Sequence, residues 1–371
     1  MNIFPYETLA SKDVFFGRDK EIKEIQEFVL NSNNLLIFSK RRLGKSSLIK
    51  ELIYKLEKNK ENIICIYIDI YDITSAEDFA KALLQGLVST YKGDIKESIK
   101  KLASLFKRTR VEPTFDPFTM KYGIKPVVTS LSFEEMMDDF FDSLYLLCKK
   151  NKILLAIDEF QQISTIKNKK IDAKFRKYIQ DTRSKNISYI FLGSKRHLLT
   201  SLFEYKSALY ELATPFNLDS ISTNDTFNYV QQYLKVDKNI IEHIFDICDG
   251  ETKLMQHIFF LLYSKYKNNT ISEDLVQNVL DEILSFKDTM YRALLDTFSL
   301  NQKKALKLML EYKSGLFSKE ILNKQDISKN VMQSAINSLI KREIIDKKDD
   351  IFFIPDRTFE LWGKMVYIKL K

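Results

Sequence analysis

The stretch "LLIFSKRRLGKSSLIKEL", Leu35 to Leu52, decides the reading of this chain. Its first apolar run ends at Phe38. A basic loop follows, and then Leu48, Ile49, Leu52, Ile53 and Leu56 recur at helical spacing. Strand, loop and amphipathic helix are expected in that order. Gly44-Lys45-Ser46 falls where the helix would start, and there successive N–H groups and the helix dipole make an anion nest. A lysine at position 45 would reach the β- and γ-phosphates of a nucleotide, and the Ser46 hydroxyl would ligate Mg²⁺. Arg41 and Arg42 add positive charge to the loop. The pattern G-x-x-x-x-G-K-[ST] asks for glycine at position 39, where this chain has Ser39. The amides that clasp phosphate come mainly from the second half of the loop, which is intact. The first glycine mainly eases the exit from the strand, so a small residue in its place costs some backbone strain and leaves the mechanism.

Two further strand ends belong with this loop. "KILLAIDEFQQI" is an apolar strand closing on Asp158-Glu159, 113 residues after Lys45. An acidic pair at a strand tip suits a phosphate site, the Asp in the Mg²⁺ shell and the Glu on the attacking water. "SYIFLGSKRHLL" ends in Gly193-Ser194, and a polar group there can sense a γ-phosphate. The histidines (His197, His243, His257) have no ligand-like spacing, and no nucleophile–base pair stands out.

Outward from these motifs, the first ~220 residues alternate strands and helices, the mark of a mostly parallel sheet with helices on its faces. Strands are expected at 34–38, 63–70, 152–157, 188–193 and, more briefly, 216–221. The clearest helix is "LSFEEMMDDFFDSLYLLCKK". Ser132 and Glu135 form a capping box, and Phe133, Met136, Met137, Phe140, Phe141, Leu144 and Leu147 form its apolar stripe. "VEPTFDPFTMKYGIKPVV" (111–128), with its three prolines, reads as an inserted hairpin near 109–129. After Ser220 helical patterns cover 223–235, 238–248, 251–267 and 272–287, with "YRALLDTF" beyond. The tail 301–371 reads as three helices and two short β runs. The expected domains are therefore 1–220, 221–298 and 299–371.

Composition sets the class. The chain has 371 residues, 45% hydrophobic and 29% charged, the profile of a folded protein with two or three domains. No apolar run approaches the ~18–20 residues of a membrane helix. The amino terminus lacks a basic start followed by an apolar core, so it is not expected to be a signal peptide. Cys65, Cys148 and Cys248 lie in separate apolar stretches, as buried thiols of a reducing compartment do. A cytoplasmic protein is expected. The net charge of +8 admits a nucleic-acid partner, but the lysines are spread along helix faces and not massed.

"FFGRDKEIKEI", "SKRRLGKSSLI", "LLAIDEFQQI", "KFRKYIQDTRSKNISYIFLGSKRHLL" and "IPDRTFELW" occur in that order. Together they resemble the archaeal-type ATPases, on the STAND and AAA+ side of the P-loop ATPases, over nearly the whole chain. The resemblance implies an α/β P-loop ATPase core with a parallel sheet, a small helical lid and a C-terminal winged helix. It places Phe15, Phe16, Gly17 and Arg18 near adenine. Ser39, Lys40, Arg41, Arg42, Leu43, Gly44, Lys45, Ser46 and Ser47 would form the phosphate loop. Ser46 and Asp158 would hold Mg²⁺, and Glu159, Lys45 and Ser194 would act in catalysis. Arg176, Arg183 or Arg196 would be a finger toward a neighbour's nucleotide. Ser39 departs from the family pattern, and so does Thr252 in "CDGETKLMQHIF", where a proline is usual at the start of a lid helix.

The implied winged helix has "LNQKKALKLMLEY", "SKEILNK" and "SKNVMQSAINSLIKR" as helices and "IIDKKDDIFFIP" as the wing, turning at 347–350. In its third helix Val331, Ala335, Ile336, Leu339 and Ile340 form the core stripe. Lys329, Asn330, Gln333, Ser334, Asn337 and Lys341 face out, and Asn and Gln suit adenine edges in a major groove. The tail carries 15 Lys and Arg against 9 Asp and Glu, about +6, which is modest for binding phosphates. Three functions stay open at this point. One is an ATP- and Mg²⁺-dependent ATPase that switches a protein or nucleic-acid partner. Another is a DNA-binding ATPase resembling origin-recognition proteins. The third is a module that holds ATP without splitting it.

Overall fold

The structure, a computed structural model, describes every residue except 1, 11, 60–61, 92–93, 118–119, 167–170, 195, 313, 349–350 and 369–371. The side chains at 121, 196, 197 and 348 also lie outside it. The chain divides into two units. An α/β unit comprises Arg18–Lys40 and Lys45–Asp219; a helical unit comprises Met1–Gly17, Arg41–Gly44 and Ser220–Lys371.

The α/β unit runs α1 (Asp19–Leu30), β1 (Leu35–Phe38), α2 (Lys45–Lys58), β2 (Ile63–Asp69), α3 (Ala76–Val88), α4 (Ile95–Leu105), β3 (Arg110–Asp116), β4 (Lys121–Val127), α5 (Phe133–Leu147), β5 (Lys152–Asp158), α6 (Ile171–Ile179), β6 (Ile187–Gly193), α7 (Arg196–Ser201) and β7 (Thr214–Asn217). Five strands pair in the order β2-β5-β6-β1-β7, and every pairing is parallel. β1 and β6 are buried along their whole length and β5 from its second residue on. That is why their sequences are unbroken apolar runs rather than alternating ones. Register brings the carboxyl ends together: Phe38 faces Gly193, Ile157 faces Phe191 and Asp69 faces Asp158. The residues that follow β1, β5 and β6 thus leave one edge of the sheet side by side.

α5 forms as its sequence asks. Ser132 Oγ accepts from the Glu135 amide at 3.2 Å, and the Glu135 carboxylate accepts from the Ser132 amide at 2.9 Å. Its stripe from Phe133 to Leu144 is buried against the sheet core, and Leu147 is half-buried at its end. β3 and β4 pair antiparallel as the proline-rich hairpin. The last strand begins at Thr214, two residues before the expected run, because it pairs with β1 from Thr214 opposite Leu35.

The helical unit contains α8 (Thr223–Val230), α9 (Lys238–Cys248), α10 (Thr252–Tyr266), α11 (Glu273–Asp296), α12 (Leu300–Glu311), α13 (Lys319–Asn323), α14 (Lys329–Lys341), an antiparallel pair β8 (Asp346–Lys348) and β9 (Ile351–Phe353), and α15 (Arg357–Trp362). One apolar core spans it from Phe4 to Trp362. α11 does not stop at residue 287. With no Gly or Pro to break it, it carries its buried stripe on through Tyr291 and Leu295 to Asp296. In α14 Ala335, Ile336 and Leu339 of the expected stripe are buried, Val331 and Ile340 are only half-buried, and Met332, absent from that stripe, is fully inaccessible. Among the described residues no helix is long and apolar enough to cross a membrane.

Candidate nucleotide site

In the α/β unit, β1 delivers Ser39 and α2 opens at Lys45. Lys45 is 6% exposed, and its Nζ donates to Ser39 Oγ at 3.2 Å. Ser39 is itself buried and donates to the Lys40 carbonyl at 2.8 Å. The residue that replaces the usual glycine therefore serves as a polar rest for the lysine. Ser46 Oγ donates to Asp158 Oδ2 at 2.6 Å, so the helix start and the tip of β5 meet at one carboxylate. Ser47, next on α2, is buried.

Asp158 gathers more donors than the sequence foretold. The Tyr67 hydroxyl, from β2, donates to Oδ2 at 2.6 Å, and the Glu159 amide donates to Oδ1 at 2.9 Å. Burial, then the charge and hydrogen bond of Asp158, push the Tyr67 phenol far above its ordinary pKa, so it stays a neutral donor. Burial also raises the neighbouring Asp69 carboxyl, against the lowering hydrogen bond from the Tyr71 amide.

Glu159 stands in the left-handed region at φ 55°. Its Oε2 accepts from Ser194 Oγ at 3.1 Å and from Gln161 Nε2. The three strand tips thus hold one connected set: Lys45 and Ser46, Asp158 and Glu159, and Ser194. Gln161 is fully buried, and its Oε1 has no hydrogen-bond partner among the described residues. A Cβ on Gly193 would come within 2.1 Å of that oxygen, which accounts for glycine at the end of β6. Tyr67 and Gln161 were not singled out from the sequence. Gln161 lies within the D-E-F-Q run, whereas Tyr67 had only its place in an apolar strand.

In the helical unit, Arg41 and Arg42 are not bare charges. Arg41 Nη2 pairs with Glu343 at 2.5 Å. Arg42 pairs bidentately with Asp356, Nη1 to Oδ1 at 2.7 Å and Nη2 to Oδ2 at 2.9 Å, and lies 3.5 Å from Glu251. Burial raises the Asp356 carboxyl, but the hydrogen bonds and charge of Arg42 outweigh it and the net shift is downward. Glu251, 6% exposed, is pushed up to about 7 by burial despite Arg42. Leu43 is buried, and Gly44 has φ 89°, which only glycine adopts without strain. Phe15 and Phe16 belong to the same unit, and Phe16 stacks on Tyr229 at 4.1 Å. Gly17 (φ 69°) follows, where a Cβ would strike Ile221 at 2.5 Å. Arg18, in the α/β unit, is buried and donates to Glu21 and to the Asp219 carbonyl.

The candidate fingers have local partners. Arg176 donates to the Ala208 carbonyl at 2.7 Å and to Gln180, and Arg183 to Asp181 and Asp142. The Arg196 side chain lies outside the described residues. On α14, Lys329, Asn330, Gln333, Asn337 and Lys341 are exposed, and Gln333 donates to Asn337 at 3.0 Å. Asn330, Gln333, Asn337 and Lys341 line an open groove with Ser334 and Ser338.

The family model for the ATPase domain predominantly from Archaea matches residues 15–258, more than half of the chain. The chain belongs to this family. Among solved structures it is similar to a Walker-type ATPase of Pyrococcus abyssi, with a TM-score of 0.63 at 17% identity, covering 98% of this chain and 100% of that one. It is also similar to the ORC2 protein of Aeropyrum pernix in complexes with ADPNP and ADP, at 0.57 and 13%, over 100% and 98% of the two chains. The ORC1 protein of the same organism, solved with DNA, gives 0.50 at 11%, over 99% and 97%. At these identities the likeness is one of fold, and the fold is that of P-loop ATPases. No curated protein matches this chain.

Proposed function

We propose that the protein is a slow Mg²⁺-dependent ATPase that acts as a nucleotide-gated switch on a partner. The observation that carries this reading is the connected set Lys45–Ser46–Asp158–Glu159–Ser194 at the carboxyl ends of neighbouring parallel strands, where nucleotides bind in open α/β sheets. Lys45 turns from Ser39 to the β- and γ-phosphates. Ser46 and Asp158 would hold a Mg²⁺ ion through their hard oxygens, and the hydrogen bond that joins them here would open to admit it. When bound, that ion supplies charge neutralisation on the phosphates. Glu159 orients the attacking water and accepts its proton, with Ser194 and Gln161 fixing the direction of the carboxylate.

The test is phosphate release from ATP and Mg²⁺ by the full chain. Glu159→Gln should lower turnover by about a hundredfold or more while ATP still binds. Equal, near-zero rates for both chains would instead leave a module that holds ATP without splitting it.

A second reading, a DNA-acting ATPase, rests on α12, α13 and α14 followed by the β8–β9 pair, the order of a winged helix, with amide side chains and two lysines exposed on α14. The tip of the wing at 349–350 lies outside the described residues. That an ORC1 protein of similar fold was solved with DNA supports this reading. Turnover that rises with duplex DNA would favour it; turnover indifferent to DNA would favour a protein partner bound in the cytoplasm.

A further inference from the structure

Arg42 has φ 66°, and Gly44 two residues on has φ 89°. Left-handed residues spaced this way turn successive amides to one side, which is how a phosphate nest is made. Glycine holds that angle freely. Arginine does so only when its surroundings over-determine it. Here they do. The Arg42 carbonyl accepts from the Lys253 amide at 3.2 Å, at the start of α10. Its guanidinium is gripped by both oxygens of Asp356. Asp356 in turn is fixed at the N-cap of α15, where Oδ1 accepts from the Phe359 amide at 3.1 Å. α15 is anchored by Phe359 on Tyr291 and by Trp362, fully buried, whose Nε1 donates to Asp288 at 2.9 Å. The D-x-x-F-x-x-W run is one device: two aromatics seat the helix, and the carboxylate at its head holds the loop.

We propose that Asp356 is a positioning residue for the phosphate loop, acting through Arg42, so that the seating of the C-terminal helix and nucleotide affinity are linked. This rests on the reading of residues 39–46 as the phosphate site. Linkage makes the coupling reciprocal: nucleotide must also change how α15 is held. The chain has a single tryptophan, Trp362, and it lies on that helix.

The experiment is calorimetric titration of the full-length native chain, Asp356→Asn, Arg42→Gly and the double variant with Mg²⁺ and ATP, with Trp362 emission followed in parallel. Asparagine keeps the helix cap and removes the charge. Arg42→Gly leaves the tail whole and keeps the loop angle accessible. Asp356→Asn is expected to weaken ATP binding about fivefold or more. In the Arg42→Gly background the same change should add less than about twofold, the non-additivity of two residues that act through one contact. ATP should alter Trp362 emission in the native chain and not in Arg42→Gly. Unchanged affinity in Asp356→Asn, or the same loss with and without Arg42, overturns the proposal. Lys45→Ala separates the two readings: if it leaves ATP affinity intact, the loop is not the phosphate site at all.

Discussion

One added methyl group tests how Glu159 is aimed. Gly193→Ala would place a Cβ 2.1 Å from Gln161 Oε1 and 2.9 Å from a Leu199 methyl. Both neighbours are fully buried, so the carboxamide must shift and release the Glu159 carboxylate. Stability should fall by about 1–3 kcal/mol, as for overpacking generally. Turnover should fall about tenfold or more while ATP affinity stays within about twofold; unchanged turnover would show that Gln161 does not orient the base. Glu251 makes a pH prediction. Its carboxyl is raised to about 7 by burial, partly offset by Arg42 and the Arg357 amide and reinforced by Asp356. An acid raised in the folded state contributes stability that is full below about pH 4.5 and is lost as pH rises through about 7. The loss is about 3 kcal/mol at most. Glutamine stays neutral, so the Tm of Glu251→Gln minus that of the native chain should grow between pH 4.5 and 7 and level off above. A difference independent of pH would show that Glu251 does not titrate there. At this scale the sequence was legible wherever function follows local order. Lys45 and Ser46 open a helix, and Asp158 and Glu159 close a strand. It was silent where partners meet only after folding, as Tyr67 meets Asp158 across two strands and Arg42 meets Asp356 from 314 residues away.

Elements were legible where caps and periodicity agree and less so where only tertiary pairing sets the end. α5 carries its start in Ser132 and Glu135. The bounds of β7 come from β1, a strand far off in sequence, and the length of α11 comes from the unit core that Tyr291 and Leu295 enter. α10 shows how a departure from the family pattern is accommodated. Thr252 is its first residue, and Thr252 Oγ1 is buried without a hydrogen-bond partner among the described residues. Proline is favoured at that position because the amide has no intrahelical acceptor. Thr252→Pro should therefore raise stability by about 0.5–1 kcal/mol, by restricting the unfolded chain and removing the orphaned hydroxyl. A lower Tm would mean that the threonine amide or hydroxyl does have a partner. α15 gives the opposite sign. Trp362 stacks on Phe359 and Tyr367 and is fully buried, so Trp362→Ala should cost about 3–5 kcal/mol. Denaturant midpoints would check it.

For the whole molecule, the question is whether the net charge of +8 serves a nucleic acid. The carboxylates already counted in that figure sit beside many of the cations: Arg41, Arg42, Arg183, Lys265, Arg292 and Arg357 all pair with them. Exposed pairs of this kind add little stability, yet they reduce the field a phosphate backbone would meet. What remains concentrated is small, and α14 is the place to look. Lys329 opens that helix and Lys341 ends it, with Asn330, Gln333 and Asn337 exposed between them. If this face lies along duplex DNA, the lysines touch phosphate and the amides touch base edges. Lys329→Ala with Lys341→Ala should then weaken binding to all sequences alike. The slope of log affinity against log salt should flatten by about 2, close to one for each phosphate that a lysine no longer neutralises. Gln333→Ala with Asn337→Ala should instead leave the slope unchanged and reduce discrimination between sequences. Both double variants change exposed residues only, so the Tm should move little. A salt slope identical in all three chains would remove α14 from any DNA interface and turn attention to protein partners, whose binding should then respond to ATP and not to salt.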